Sequence, residues 1–181
     1  SLLVSGVSVW TYPLLRKASY DVVRDFAPIC IISRDVLIVA VSPAVPAKTV
    51  KELIALAKAK PGELNYATGE IGSPPHLASE MFKAMAGINI VRINYKGTGA
   101  ALNDLIAGQV QLAIAPASPV MPHVKTGRLR ALAVTSAEPS ALAPGLPTVA
   151  ASGLPGYEST QMYGMFAAAN TPAAIIGKLN Q

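Results

Sequence analysis

The sequence is poor in the residues that most often carry chemistry. Its 181 residues include one cysteine, two histidines and one tryptophan, and charged residues make up only 14%. The single cysteine, Cys30, allows neither an internal disulfide nor a cysteine metal site. Within the apolar run 29–32 it is expected to be a buried small hydrophobe. No apolar run reaches the roughly 18–20 residues of a bilayer-spanning helix.

Catalytic and metal-binding patterns are equally scarce. The 10 acidic residues are spread one at a time, so no pair is placed for general acid/base work. No His-Glu-x-x-His spacing occurs. His76 lies in the first turn of a predicted helix and could donate to a bound anion, although a solvated or structural role is commoner for it and for His123. The sequence therefore predicts no catalytic residue, no metal site and no cofactor.

The charge balance is mildly basic, with a formal net charge of +5 at pH 7. The lysines and arginines are scattered, and the nearest approach to a cluster, Lys125, Arg128 and Arg130, has no aromatic residue between its members. A nucleic-acid groove combines a basic stripe with stacking rings, so no nucleic-acid partner is expected. The excess of positive charge favours anionic ligands only weakly.

Strand and helix patterns alternate along the chain, which predicts an α/β fold with a mostly parallel sheet. Hydrophobic residues make up 51% of the chain, which suits one or two compact domains. The run 36–41 (VLIVAV) is apolar on both faces, as expected of a strand in the middle of a sheet. Other strands are predicted over 1–9, 64–67, 89–95, 111–115, 129–135 and 157–168, and helices within 10–28, over 50–60 and 100–107, and after the expected caps Ser118 and Thr171.

The stretch 64–87 (LNYATGEIGSPPHLASEMFKAMAG) is the centre of the prediction. A short strand over 64–67 leads into a glycine-bearing loop, and Ser73 is placed to cap a helix that begins at Pro74 and ends at Gly87. Such a unit turns the N–H groups and the positive end of a helix toward whatever lies above the strand, which suits a carboxylate or phosphate. An ordinary strand-to-helix connection is the alternative, and the local sequence leaves both open.

Two further loops belong to the same predicted edge of the sheet. The loops 68–73, 96–98 and 116–118 each follow a strand, each open a helix, and each contain Gly, Ser or Thr. In parallel sheets, ligands bind beyond the carboxyl ends of the strands. Gly97 and Gly99 also form half of a dinucleotide fingerprint, but Leu102 stands where the third glycine belongs and no acidic residue follows at the expected spacing. A nucleotide- or phosphate-binding enzyme fragment that uses 97–99 is therefore the rival hypothesis.

Short motifs along nearly the whole chain carry a resemblance to a known family. They are NYATG at 65–69, GSP at 72–74, HLA at 76–78, YKG at 95–97, LIAGQV at 105–110, HVKTG at 123–127, LRALAVT at 129–135, PTV at 147–149 and GLPGY at 153–157. Together they resemble the signature of periplasmic solute receptors of tripartite tricarboxylate transport systems, the TctC or Bug type.

The resemblance implies a periplasmic-binding-protein-like clamshell of two α/β domains. It implies one complete domain over 42–155, two crossing strands over 36–41 and 156–168, and two remnants of the other domain over 1–35 and 169–181. The chain is then expected to be truncated at both ends. A strand over 1–9 that has lost its neighbours invites pairing with another copy, so a homo-oligomer or a domain-swapped dimer is expected.

The resemblance also implies a function without catalysis. A periplasmic receptor of this type captures a small carboxylate-bearing ligand between its domains and delivers it to the membrane permease subunits of the transporter. A ligand-sensing domain of a regulator is a further alternative with the same clamshell plan. Glu70 departs from the family pattern, in which a small or amide residue stands at this position. A carboxylate inside the loop would repel an anion unless it points to solvent.

The resemblance extends to individual ligand-binding residues. In the first loop, the N–H groups of Gly72 and Ser73 and the hydroxyls of Thr68 and Ser73 are expected to hold the carboxylate, around Gly69. The remaining expected contacts are Ser8 in the first domain, Ala117 and Ser118 in the third loop, and Tyr163 on the returning crossing strand.

Overall fold

The computed structural model describes residues 1–181, which divide into two compact units. One unit combines 1–35 with 161–181, and the other is the continuous stretch 36–160. The strands are β1 (Leu2–Gly6), β2 (Phe26–Val41), β3 (Asn65–Thr68), β4 (Val91–Asn94), β5 (Leu112–Pro116), β6 (Arg130–Val134) and β7 (Thr160–Ala168). The helices are α1 (Ser8–Leu15), α2 (Val50–Ala59), α3 (Pro74–Ala86), α4 (Thr98–Ile106), α5 (Ala117–Lys125) and α6 (Ala173–Leu179).

The continuous unit contains a sheet in which four of the strands run in one direction. β3 pairs in parallel with both β4 and β5, while the second half of β2 pairs antiparallel with β5 on one side and β6 on the other. The strand predicted over 36–41 is therefore central, as its two apolar faces indicate. It is longer than predicted, because β2 begins ten residues earlier, at Phe26.

Both faces of this sheet are covered by helices, which explains the apolar character of β2. On one face, Leu37, Val39 and Val41 belong to a buried cluster with side chains of α2 and α3. On the other face, Ile38 and Ala40 belong to a second cluster with side chains of α4 and α5. The α/β class is confirmed, and the three layers hold the strand ends in fixed positions.

Several helix ends agree with the sequence and others do not. Glu52 N–H donates to Thr49 Oγ1 (3.2 Å) at the start of α2, and Gly87 ends α3 in the left-handed conformation (φ 60°). Ser118 does not cap α5, because the helix begins at Ala117 with Pro116 as its N-cap. Thr171 likewise precedes the cap of α6, which is Pro172.

The discontinuous unit is built on β1, β7 and β2, in that order. β1 pairs antiparallel with β7 over five residue pairs and then gives way to α1 at Ser8, so the predicted strand over 1–9 ends early. The rings of Trp10 and Phe166 pack edge to face, with centroids 5.5 Å apart. An apolar groove of about 500 Å³ lies beside them, lined in part by Gly6, Ile29, Met162 and Tyr163.

Neither of two common functional features is present. No helix of the chain has both the length and the apolar character needed to cross a bilayer. No group of three or more His, Cys, Asp or Glu side chains is placed to hold a metal ion.

Candidate functional site

The candidate site is the edge of the continuous unit at which β3, β4 and β5 end. These parallel strands finish at Thr68, Asn94 and Pro116, and the loop after each one opens a helix. Tyr95 N–H donates to the Thr68 carbonyl (2.9 Å), which fixes the second loop to the end of the first. Three strand-to-helix loops therefore gather at one edge, as the sequence predicts.

Two hydroxyl groups without partners lie in the first loop. Thr68 is only 3% exposed, and its Oγ1 has no hydrogen-bond partner. Ser73 Oγ is also buried and unpartnered, and it does not cap α3 although Ser73 occupies the cap position. A Cβ added at Gly69 would lie 3.7 Å from that oxygen, an ordinary van der Waals contact, so Gly69 lies directly beside it. Buried hydroxyls normally have partners, which makes this pair the strongest indication of a ligand.

The backbone N–H groups of Gly72 and Ser73, in the same loop, differ from the expectation. Gly72 N–H donates to His76 Nδ1 (3.2 Å), and Ser73 N–H donates to the Glu70 carbonyl (3.1 Å). The tight turn at Gly72 (φ 85°) folds the Ser73 amide back onto the loop itself. Without a ligand both N–H groups therefore have partners within the loop, contrary to the expectation that they are open, and the two hydroxyls are the groups that have no partner.

The start of α3 is also poorer in donors than a helix end usually is. Pro74 and Pro75 occupy its first two positions, and neither has an N–H group. The first turn therefore offers only the N–H of His76. The sequence already contains this signal, since the second proline removes a donor as surely as the first does.

A cluster of charged side chains lies beside the loop. Arg92 Nη1 is 2.9 Å from His76 Nε2, while Glu80 accepts from Lys83 Nζ (3.1 Å) and from the Tyr66 hydroxyl. Burial, together with the charge of Arg92, holds the pKa of His76 below its usual value, so the ring is neutral at pH 7. With two cations and one carboxylate, the cluster places net positive charge near the loop.

Glu70 does not bring negative charge into the loop interior. The residue is exposed, and its backbone carbonyl, rather than its carboxylate, takes part in the loop by accepting from Ser73. A carboxylate that faces water is screened by the high dielectric of the solvent. The repulsion that the sequence suggested is therefore small.

The other two loops are more open. Gly97 and Gly99 are exposed, and a side chain added at either position would meet nothing within 4 Å. No close approach of backbone therefore requires a glycine there. In the third loop, Ala117 is buried and Ser118 is exposed within the first turn of α5.

The two predicted contacts in the discontinuous unit lie at one end of its strands. Ser8 is exposed at the first position of α1, directly beyond β1. Tyr163 is 38% exposed and pairs with Gly6 across β1 and β7. Its hydroxyl accepts from Gln161 Nε2, and Gln161 Oε1 is buried without a partner.

The comparisons with known proteins agree with this architecture. The family model described as "Tripartite tricarboxylate transporter family receptor" matches residues 1–181. The chain belongs to this receptor family. Among its relatives is the protein BugT of Bordetella pertussis, which is 34% identical over 168 residues, covering 93% of this chain and 52% of BugT. The chain thus spans about half the length of this curated relative.

Several solved structures have the same fold as this chain. The Rhodopseudomonas palustris protein Rpa4515, solved with adipate, is 34% identical and superposes with a TM-score of 0.92 over 99% of this chain and 60% of that one. MatC from the same organism, solved with malate, is 25% identical with a TM-score of 0.88 over 99% of this chain and 62% of that one. The periplasmic binding protein BugD is 31% identical with a TM-score of 0.88 over 99% of this chain and 60% of that one.

Proposed function

We propose that the chain is part of a periplasmic receptor that captures a small carboxylate without catalysis and delivers it to the membrane permease of its transporter. Membership of the receptor family supports the transport role. The solved relatives with adipate and malate support a carboxylate ligand. The observation that carries the proposal within this chain is the pair of buried, unpartnered hydroxyls of Thr68 and Ser73.

The chemistry of that pair suits a carboxylate. A hydroxyl left unpartnered in the interior costs about 1–3 kcal/mol, and a ligand that accepts from it removes this cost. A carboxylate oxygen accepts strongly, and each hydrogen bond to a charged group contributes about 1.5–3 kcal/mol. The positive charge of Arg92 and Lys83 favours an anion over a neutral amide at this position.

The remaining contacts are proposed by the same reasoning from loop position. Ala117 and Ser118 lie at the end of β5, the strand next to β3. Ser8 and Tyr163 would supply the contacts of the other lobe, with the ligand closed in the interdomain cleft that the family resemblance implies. No catalytic residue, metal or cofactor takes part in this scheme.

A thermal-shift screen of the protein against dicarboxylates, amino acids and aromatic acids tests the proposal. At least one carboxylate is expected to raise the melting temperature, because binding to the native state alone stabilises it. The bound acid is then expected to be recovered chemically unchanged. Saturable nucleotide binding that Gly99→Val abolishes, in place of carboxylate binding, would contradict the proposal and favour a nucleotide-using enzyme.

A further inference from the structure

Two hydrogen-bond donors face the ring nitrogens of His76, but a neutral ring can accept from only one of them. Gly72 N–H points at Nδ1 (3.2 Å), and Arg92 Nη1 lies 2.9 Å from Nε2. Every N–H of a guanidinium is a donor, and a neutral imidazole has a single nitrogen able to accept. A doubly protonated ring has none. Consequently no protonation state of His76 satisfies both neighbours at once.

No carboxylate of the continuous unit is paired with Arg92. The ion pairs of the continuous unit join Lys83 to Glu80 and Lys60 to Glu63, and neither involves Arg92. Glu80 already accepts from Tyr66 and Lys83. His76 itself is only 8% exposed and Arg92 is half-buried, so only a small part of the ring meets water. The conflict is therefore a property of the ligand-free loop.

We propose that binding of a carboxylate resolves this conflict by changing the tautomer of His76. Without ligand, the ring carries its proton on Nε2, and Nδ1 accepts from Gly72. With ligand, the carboxylate accepts from Gly72 N–H and from His76 Nδ1–H, and Nε2 accepts from Arg92. His76 is then a ligand-binding residue, and Arg92 is the positioning residue that fixes its tautomer.

The exchange needs no net proton. The ring releases the Nε2 proton to solvent and takes one from solvent at Nδ1, so the charge of the site changes only by that of the ligand. A donor–donor contact becomes a charge-assisted hydrogen bond, which is stronger than a neutral one. This inference rests on the proposed function, because it requires a carboxylate in the loop Thr68–Ser73.

Nitrogen-15 NMR of the imidazole rings tests the inference directly, because the two ring nitrogens have different shifts in each tautomer. The protein has two histidines, and His123→Gln assigns the remaining signals to His76. Adipate and malate serve as probes, with binding followed in parallel by calorimetry. The expected result is the Nε2–H form in the free protein and the Nδ1–H form at saturation.

The outcomes separate the inference from the proposed function. If a probe binds by calorimetry and the tautomer stays the same, the inference is wrong and the receptor proposal stands. If no carboxylate binds, both the inference and the receptor proposal are wrong. Arg92→Gln is expected to weaken binding about tenfold, since about 1.4 kcal/mol of hydrogen-bond energy is lost. Arg128→Gln, at an exposed arginine outside the loop, is the matched control and is expected to leave affinity unchanged.

Discussion

Two buried threonines in the continuous unit have opposite surroundings. Thr135 Oγ1 accepts from Leu37 N–H (3.2 Å) and donates to the Ser159 carbonyl (2.6 Å), so it joins distant parts of the chain. Thr68 is also deeply buried, yet its hydroxyl has no hydrogen-bond partner. One hydroxyl stabilises the fold, whereas the other is available to a ligand.

Replacing each threonine with valine separates these roles, because valine keeps the shape and removes the hydroxyl. Thr135→Val is expected to lower the free energy of unfolding by about 1–3 kcal/mol, since buried backbone groups lose their partner. Thr68→Val is expected to raise it by about 1–3 kcal/mol, because an unpartnered buried hydroxyl is removed and no hydrogen bond is lost. Urea denaturation measures both, and an equal loss in the two variants would show that Thr68 is structural.

The turn at Gly72 makes a second residue-scale prediction. With φ at 85°, Gly72→Ala places a side chain in the left-handed region, at a cost of about 1–2 kcal/mol in unfolding free energy. Gly99 provides the contrast, because it lies within α4 with open space around it. Gly99→Ala is expected to stabilise the protein by up to about 1 kcal/mol through helix propensity. Thermal denaturation that gives the same sign for both would contradict the account.

At the scale of elements, α2 and α3 begin in different ways. Thr49 caps α2 with its side chain, whereas Ser73 stands at the same position of α3 without capping it. A helix end that leaves its serine oxygen unused gives up stability, which is typical of sites kept for function. The two prolines of α3 remove only the first two N–H groups. The third, His76 N–H, remains at the position from which Glu52 N–H donates to Thr49, so missing donors alone do not account for the difference.

Alanine at each cap position tests this difference. Thr49→Ala is expected to cost about 1 kcal/mol of unfolding free energy, the usual value of a side-chain cap. Ser73→Ala is expected to cost less than about 0.5 kcal/mol, because no capping bond is lost. Chemical denaturation followed by circular dichroism gives both values. A loss at Ser73 as large as that at Thr49 would mean that its hydroxyl supports the helix.

The helices and strands also show which features of the fold local sequence patterns can predict. Local signals suffice for the core strand 36–41, for the cap at Thr49 and for the glycine end of α3, because each depends on neighbours within a few residues. The early start of β2 depends on pairing with other strands, and the contact of Arg92 with His76 spans 16 residues. Periodicity carries no information about such partners. The occupied amides at Gly72 and Ser73 have partners within four residues, but those bonds depend on the turn at Gly72, which periodicity does not show either.

At the scale of the whole molecule, exposed apolar side chains are concentrated in the discontinuous unit. Leu14 and Val23 are each 83% exposed, and Leu2 and Val4 on the edge strand β1 are more than half exposed. Edge strands with apolar side chains favour pairing with another chain. Solubility and oligomeric state are therefore expected to depend on this unit.

Light scattering tests this expectation. The chain is expected to form dimers or larger species, and Val4→Lys is expected to shift them toward monomer because a charge on an edge strand opposes pairing. Leu142→Lys is the control, since Leu142 is similarly exposed (52%) but lies in the other unit. A monomeric unmodified chain would contradict the expectation.

The central claim is that the hydroxyls of Thr68 and Ser73 hold the carboxylate of a transported solute. Calorimetric titration of the protein, and of a variant carrying both Thr68→Val and Ser73→Ala, with an acid identified by thermal shift tests it most directly. The account predicts one binding site per chain in the unmodified protein and affinity reduced at least about tenfold in the folded double variant. Equal affinity in the two proteins would contradict it.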